Sequence, residues 1–119
     1  MSDTTEIPCV VSVKKAALSN RGINSFQEWV NKPRSLYIGR DMTHYIHGAH
    51  GSKWQNKFPV KKFGLEKCLE LYEESLRSNQ NLMDSIQELA GMELGCWCKP
   101  GLCHGDILVK VFQEFHLKN

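Results

Sequence analysis

The chain has 119 residues, of which 41% are hydrophobic and 24% charged, and its formal net charge is +2. This length suits a single domain with one core, and so small a charge gives no argument for DNA binding. No apolar run is long enough to cross a membrane. The polar start "MSDTTEIP" has no secretory pattern, and five cysteines, an odd number, disfavour a disulfide scaffold. We expect a cytoplasmic or nuclear protein with reduced thiols, not a secreted one.

Two strands and a helix are predicted in the first forty residues. The β-branched run Cys9–Val13 is typical of an interior strand. Asn24 or Ser25 is a candidate N-cap for a short helix, which must end before Pro33. The segment 35–40 predicts a second strand.

Residues 41–61 predict a long irregular loop that carries His44, His47 and His50. Its segment "GSKWQNKF" mixes lysines with aromatic side chains. Such a mixture can bind a nucleotide or single-stranded nucleic acid by phosphate contact and stacking. The alternative is that Trp54 and Phe58 simply fold over the sheet.

The second half of the chain predicts two helices, a strand and a closing helix. Residues 65–79 form an amphipathic pattern, and a second helix runs from Asn79 to a C-cap at Gly91. The segment 92–98 predicts a strand, and residues 106–117 predict the last helix. Strands that alternate with helices indicate an α/β protein, Rossmann-like, with a small, mostly parallel sheet of three or four strands flanked by helices. We expect one such domain over residues 9–119 after a flexible N-terminus at 1–8.

In open α/β sheets, ligands bind at the carboxyl ends of the strands. The third strand ends in "CWCKPGLCHGD", which places Cys103 and His104 at the N-terminus of the closing helix. The partial positive charge there favours a thiolate and an anionic ligand. His104 can exchange a proton near neutral pH, and Asp106 suits the first helical turn. We therefore predict that Cys103, His104 and Asp106 are catalytic and stand open to solvent near Arg40.

The same residues admit structural and metal-binding interpretations. Cys96 and Cys98 can be small buried hydrophobes, because free cysteine is among the most buried residue types. Alternatively, a metal site with zinc or iron is formed by three thiols and one imidazole: Cys96, Cys98, Cys103 and His104. The spacing is unusual for zinc, since same-face strand residues lie roughly 7 Å apart. The sequence leaves these alternatives open.

Several segments together resemble a known family. They are "YIGR", "SKW" followed by "NKF", "EKCLELYEESL" and "LGCWCKPGLCHGD". The chain is identified from them as a member of domain-of-unknown-function family four-three-two-six, over about residues 10–111. The signature residues carried over by position are Arg40, Lys53, Trp54, Asn56, Cys96, Cys98, Lys99, Pro100, Cys103, His104, Gly105 and Asp106. Family members commonly read N-P-F, whereas here the proline is displaced to Pro59.

The resemblance implies a Rossmann-like fold and, through similar small α/β families with a Cys-His pair at this turn, a nucleotide-type ligand. We expect a small anionic ligand, nucleotide- or nucleoside-like, to be bound and, if the protein is an enzyme, processed. The predicted ligand-binding residues are Arg40, Lys53, Trp54, Asn56, Lys99 and Gly105. The alternative is a non-enzymatic zinc or iron module that binds a protein or nucleic acid. No membrane partner is expected, and the sequence does not decide whether the protein is an enzyme.

Overall fold

The computed structural model describes residues 6–99 and 101–118, apart from the side chains of the last two. The three strands are β1 (Cys9–Ser12), β2 (Ser35–Tyr37) and β3 (Glu93–Cys96). The helices are α1 (Lys15–Asn20), α2 (Phe26–Val30), α3 (Val60–Phe63), α4 (Leu65–Ser78), α5 (Gln80–Asp84), a 3₁₀ helix (Ile86–Leu89) and α6 (His104–Lys118). In the described part of the chain, no helix is both long and apolar enough to cross a membrane.

The strands form one parallel sheet in the order β1-β3-β2. Gly95 of the central strand lies opposite Val11 on one side and Tyr37 on the other. The chain passes from β1 over to β2 and then returns to insert β3. Right-handed crossovers in opposite directions place their helices on opposite faces of a sheet. The predicted Rossmann-like α/β fold with a small parallel sheet is confirmed.

Each face of the sheet is covered by its own apolar cluster. The first cluster joins Leu94 and Cys96 of β3 to α4, the 3₁₀ helix and α6; its buried members are Ile38, Trp54, Tyr72, Leu76, Ile86, Leu89, Leu94, Cys96, Cys103, Leu108, Val111 and Phe112. The second cluster joins the other face to α1 and α2; its buried members are Val13, Leu18, Ile23, Phe26, Trp29, Tyr37 and Ala49. Alternation along β3 thus separates the two faces, as strand geometry requires.

Several predicted element bounds are wrong. The predicted helix from Asn79 to Gly91 is divided at Ser85, whose hydroxyl donates to the Asn81 carbonyl at 3.0 Å and so competes with regular helical bonding. Helix α1 was not predicted, because it is six residues long, buries only Leu18 and has no side-chain cap. Helix α3 begins at Val60, in the last two residues of the predicted loop, and α6 begins two residues before its predicted start.

The predicted flexible N-terminus lies partly outside the described residues, which begin at Glu6. Glu6 pairs with Arg34 at 2.7 Å, and its carbonyl accepts a hydrogen bond from the Gly91 backbone at 2.7 Å. These contacts join the segment before β1 to the segments before β2 and β3.

Gly95 permits the close approach of α2 to the central strand. A Cβ atom there would overlap the Trp29 ring and would lie 2.6 Å from Val13 Cγ1. Trp29 is fully buried and donates from Nε1 to Glu93 Oε1 at 2.9 Å, so it has little freedom to move away.

We expect Gly95→Ala to lower the free energy of unfolding by about 1–3 kcal/mol, the usual cost of overpacking a core. Urea unfolding measures the loss. In the Gly95→Ala background, Trp29→Phe should cost less than it does in the wild type, because the smaller ring relieves the overlap. Additive costs would contradict this account.

Candidate functional site

The loops after β1 and β3 diverge at the carboxyl edge of the sheet. The loop after β1 leads into α1, whose Leu18 belongs to the second cluster. The loop after β3 leads into α6, whose Leu108 belongs to the first cluster. Neighbouring strands whose connections pass to opposite faces leave a crevice where α/β proteins bind ligands.

Two thiols meet beneath this edge. Cys96 Sγ, at the end of β3, lies 3.1 Å from Cys103 Sγ, just before α6, and both residues are 1% exposed. This separation is shorter than the roughly 3.8 Å between two sulfurs that share one tetrahedral zinc ion. It is the distance of a hydrogen bond in which one thiol donates to the other.

The surroundings identify Cys96 as the acceptor of that bond. The bond from Cys103 lowers the pKa of Cys96 to about 6, against the opposing effect of burial. The backbone N–H groups of Cys98 and Lys99 also bond to this sulfur, and the Lys99 ammonium adds a favourable charge. Successive N–H groups that point at one atom stabilise an anion. Cys96 is therefore the more acidic thiol of the pair.

The pKa of Cys103 is shifted in the opposite direction. Its bond to Cys96 and its burial raise its pKa, although the Gly105 backbone donates to its sulfur at 3.3 Å. Asp106 accepts from the Cys103 backbone at 3.0 Å and pairs with Lys99 at 2.7 Å. The first turn of α6 is thus capped by the protein's own carboxylate.

His104 is buried between β2 and α4. Its Nε2 lies 2.8 Å from the Ile38 carbonyl oxygen, and its ring packs edge-on against Tyr72 at 4.9 Å. Burial lowers its pKa, although the Ile38 and Trp54 backbones favour the charged form. The ring is therefore neutral near pH 7 and donates from Nε2 to Ile38.

The expectation that Cys103 and His104 stand open to solvent is wrong. They are only 1% and 6% exposed, because α6 packs directly against the sheet at this point. Gly105 permits this packing, since a Cβ there would lie 2.9 Å from both Ile38 and Val10. Within the pair, it is the pKa of Cys96 that is lowered, whereas the sequence favoured a lowered pKa at Cys103.

The four predicted metal ligands do not converge on one point in the described part of the chain. Cys98 is exposed as a residue, but its sulfur is partly buried. This partial burial and the nearby Cys96 raise the pKa of Cys98. Within residues 6–99 and 101–118, no three His, Cys, Asp or Glu side chains converge so as to hold a metal ion. Pro100, a member of the sequence signature, lies outside the described residues.

Three of the predicted ligand-binding side chains contact the protein itself. Lys53 pairs with Glu88 at 2.9 Å, and Trp54 is 2% exposed. The Asn56 amide donates to Cys68 Sγ at 3.0 Å, while its carbonyl oxygen accepts from the Phe58 backbone at 2.9 Å. These contacts hold the loop against α4 and the 3₁₀ helix and do not place the side chains at the crevice.

Arg40, in contrast, lies at the carboxyl edge and is exposed. Its carbonyl accepts from the Tyr37 hydroxyl at 2.7 Å, and that hydroxyl accepts from Trp97 Nε1 at 2.7 Å. The chain of hydrogen bonds joins the ends of β2 and β3 and fixes the orientation of the Trp97 indole.

Trp97 forms one wall of a cavity of about 380 Å³ between the sheet, α1 and α2. The lining residues are Val13, Lys15, Leu18, Asn24, Ser25, Phe26, Ile46 and Trp97. Small-molecule sites are commonly clefts of roughly 300–1,000 Å³ with an apolar lining and a few polar groups. The cavity lies on the face of the sheet opposite to that of Cys96 and Cys103.

Sequence reasoning did not identify this cavity. Its residues come from β1, α1, α2, the loop at Ile46 and the end of β3, and no local motif unites them. The sequence carries one signal for it, because side chains alternate along a strand and Trp97 must therefore face away from Cys96, toward the side where the cavity lies.

The fold and the site define a small Rossmann-like α/β protein. The chain belongs to the family described as Domain of unknown function (DUF4326), whose model matches residues 22–114.

Two viral proteins are similar to the chain. Protein R718 of Acanthamoeba polyphaga mimivirus is 31% identical over 87 residues, which cover 66% of each chain. The 12.4 kDa protein of the nrdA-td intergenic region of Enterobacteria phage T4 is 33% identical over 65 residues, 51% of this chain and 60% of the relative. The matched part thus falls just short of two thirds of either relative's length. Both carry names that describe them as uncharacterized, and no solved structure matches.

The neutral state of His104 predicts a pH dependence of stability. Its folded pKa lies below the ordinary 6.5, so its full contribution is present above about pH 6.5. As the pH falls further, the unfolded chain takes up a proton that the folded chain resists. The free energy of unfolding should then fall by up to about 1.4 kcal/mol per pH unit.

Urea unfolding from about pH 7.5 to about pH 5.5 measures this slope. His104→Gln retains a donor for Ile38 but cannot titrate, so the variant should show a flatter profile. His44→Gln, at an exposed loop position, is the matched control and should keep the wild-type slope. An unchanged slope in His104→Gln would refute the assignment.

Proposed function

We propose that the protein binds a small anionic ligand with an aromatic ring, nucleotide- or nucleoside-like, at the cavity beside Trp97. The observation that carries the proposal is the position of this cavity at the carboxyl edge, where the loops after β1 and β3 diverge. Ligands of Rossmann-like proteins occupy such crevices. The cavity lies nearer to β1 than the site expected from the sequence, which was placed over the ends of β2 and β3.

The aromatic walls favour a planar ligand. Phe26 and Trp97 are stacked with ring centroids 5.8 Å apart and an interplanar angle of 20°. The Tyr37 hydroxyl holds the indole in place through the bond at Trp97 Nε1. A base that stacks on such a platform gains about 1–3 kcal/mol.

The charges at this edge favour an anion. Among the lining residues Lys15 carries a positive charge and none carries a negative one. Within the described part of the chain, Lys14, Lys15 and Arg40 make no ion pair, whereas Arg21 and Arg34, near the amino ends of the strands, pair with Glu93 and Glu6. An exposed cation without an internal partner remains available to a phosphate or carboxylate.

The polar rim supplies a further contact. The Asn24 side chain lines the cavity and is exposed, so its amide can donate to or accept from a base edge. The neighbouring Ser25 hydroxyl accepts from the Glu28 backbone at 3.1 Å and can still donate its own proton. The cavity therefore combines an apolar floor, an aromatic wall, one cation and two adaptable polar groups.

Isothermal titration with nucleoside monophosphates and their matching nucleosides tests the proposal. We expect at least one monophosphate to bind more tightly than its nucleoside. Lys15→Gln should weaken monophosphate binding roughly tenfold, the effect of losing one charged hydrogen bond, and leave nucleoside binding unchanged. Arg40→Gln should act in the same direction. Trp97→Phe keeps a ring but loses the bond to Tyr37, and it should weaken both ligand types.

Lys32→Gln is the matched control for charge, because Lys32 lies near Glu93 at the opposite edge of the sheet. It should bind like the wild type, and rising salt should weaken monophosphate binding alone. Failure of every monophosphate to bind would refute the proposal. So would equal losses in Lys15→Gln and Lys32→Gln.

A further inference from the structure

The buried pair Cys96–Cys103 has no part in the cavity described above, since it lies on the other face of the sheet. Its two sulfurs are 3.1 Å apart, and a disulfide bond of about 2.05 Å requires them to approach by roughly 1 Å. Gly105 lies two residues after Cys103, and the turn at Gly101 lies two residues before it. The Gly101 N–H donates to the Cys98 carbonyl at 2.8 Å. The pair thus joins the end of β3 to the start of α6 across a short turn.

We propose that Cys96 and Cys103 form a peroxide-sensitive dithiol that closes reversibly to an intramolecular disulfide, with Cys96 as the attacking thiolate and Cys103 as the resolving thiol. The oxidant is a hydroperoxide, of which hydrogen peroxide is the smallest. It is neutral and small, which suits a pair that is only 1% exposed yet lies next to exposed Cys98.

The groups around the pair assign the two roles. The Cys96 sulfur lies 3.1 Å from the Cys103 sulfur and accepts from two backbone N–H groups, so a negative charge is better stabilised there. The Lys99 ammonium lies near both sulfurs. Cys103 accepts one backbone N–H, from Gly105 at 3.3 Å, and faces the Asp106 carboxylate as well as Cys96, so an anion is less favourable there. Thiolates and not thiols attack peroxide, so the first step belongs to Cys96.

The chemistry balances without a further reactant. The Cys96 thiolate attacks one peroxide oxygen, the O–O bond breaks, and Cys96 becomes a sulfenic acid while hydroxide leaves. Hydroxide takes the Cys103 proton and becomes water. The Cys103 thiolate attacks the Cys96 sulfur, the S–S bond forms, and hydroxide leaves from the sulfenic acid. The two sulfurs together lose two electrons, which reduce the peroxide, and a small thiol can later reduce the disulfide by exchange.

Cys68 provides a matched internal control. It is as buried as the pair, but its sulfur donates to the Phe58 carbonyl at 3.0 Å and accepts from the Asn56 amide. No second thiol bonds to it in the described part of the chain. Burial alone would therefore protect Cys68 and the pair equally, whereas the proposed dithiol makes the pair react first.

The test treats the full chain with hydrogen peroxide, alkylates the remaining thiols and maps fragments by mass spectrometry. Chymotrypsin, which cuts after Trp97 and Leu102, separates Cys96, Cys98 and Cys103 onto different fragments. We expect a linked Cys96–Cys103 fragment pair, the loss of two thiols out of five and of two hydrogens in mass, and full reversal by dithiothreitol. Cys68 should stay reduced over the same time.

Variants separate the two roles. In Cys96→Ser, Cys103 should oxidise roughly tenfold or more slowly than the wild-type pair, because no stabilised thiolate remains. In Cys103→Ser, with Cys98→Ser added to remove a competing thiol, dimedone should trap a sulfenic acid at Cys96. A Cys96–Cys98 link in the wild type would overturn the proposal, as would oxidation of Cys68 at the same rate as the pair. Fragment mapping of the wild-type protein shows which cysteines are linked and whether Cys68 is oxidised, even if a variant fails to fold. Neither result depends on nucleotide binding.

Discussion

The sheet depends on the backbone hydrogen bonds of β3, which is the last strand in the chain and lies between the other two. The Val13 backbone donates to the Cys96 carbonyl, and the Ile38 backbone donates to the Gly95 carbonyl, each at 3.0 Å. Strands β1 and β2 do not pair with each other. The first half of the domain therefore forms no sheet without residues 93–96, and these long-range contacts carry a loop-closure cost.

The central strand also divides the chemistry of the molecule. Cys96 points to the face that α6 covers, where it meets Cys103 in a buried hydrogen bond. The next residue, Trp97, points to the other face and forms a wall of the cavity beside α1 and α2. One residue step along a strand reverses the side chain, so two sites of different character lie back to back at the same edge.

Most of the fold could be predicted from local patterns. The β-branched run at β1 and the apolar periodicity of α4 gave the element types, and their alternation gave a parallel sheet. Short elements could not be predicted in this way. Helix α1 buries a single residue, and Ser85 interrupts an otherwise helical pattern through its own hydroxyl. The formation and the ends of such short elements depend on tertiary packing and on side-chain hydrogen bonds. The spacing of apolar residues in the sequence carries no information about either.

For the site, the sequence by itself determined that cysteines and a histidine gather where the third strand passes into the closing helix. It also determined that Cys96 and Trp97 face opposite ways. Only the tertiary structure decided that α6 seals Cys103 and His104, that the pKa of Cys96 is the one lowered in the pair, and that the open cavity lies beside α1. The reason is physical: burial, the sharing of a proton between two sulfurs and the shape of a cavity all depend on distances between segments far apart in the chain, and local spacing does not contain them.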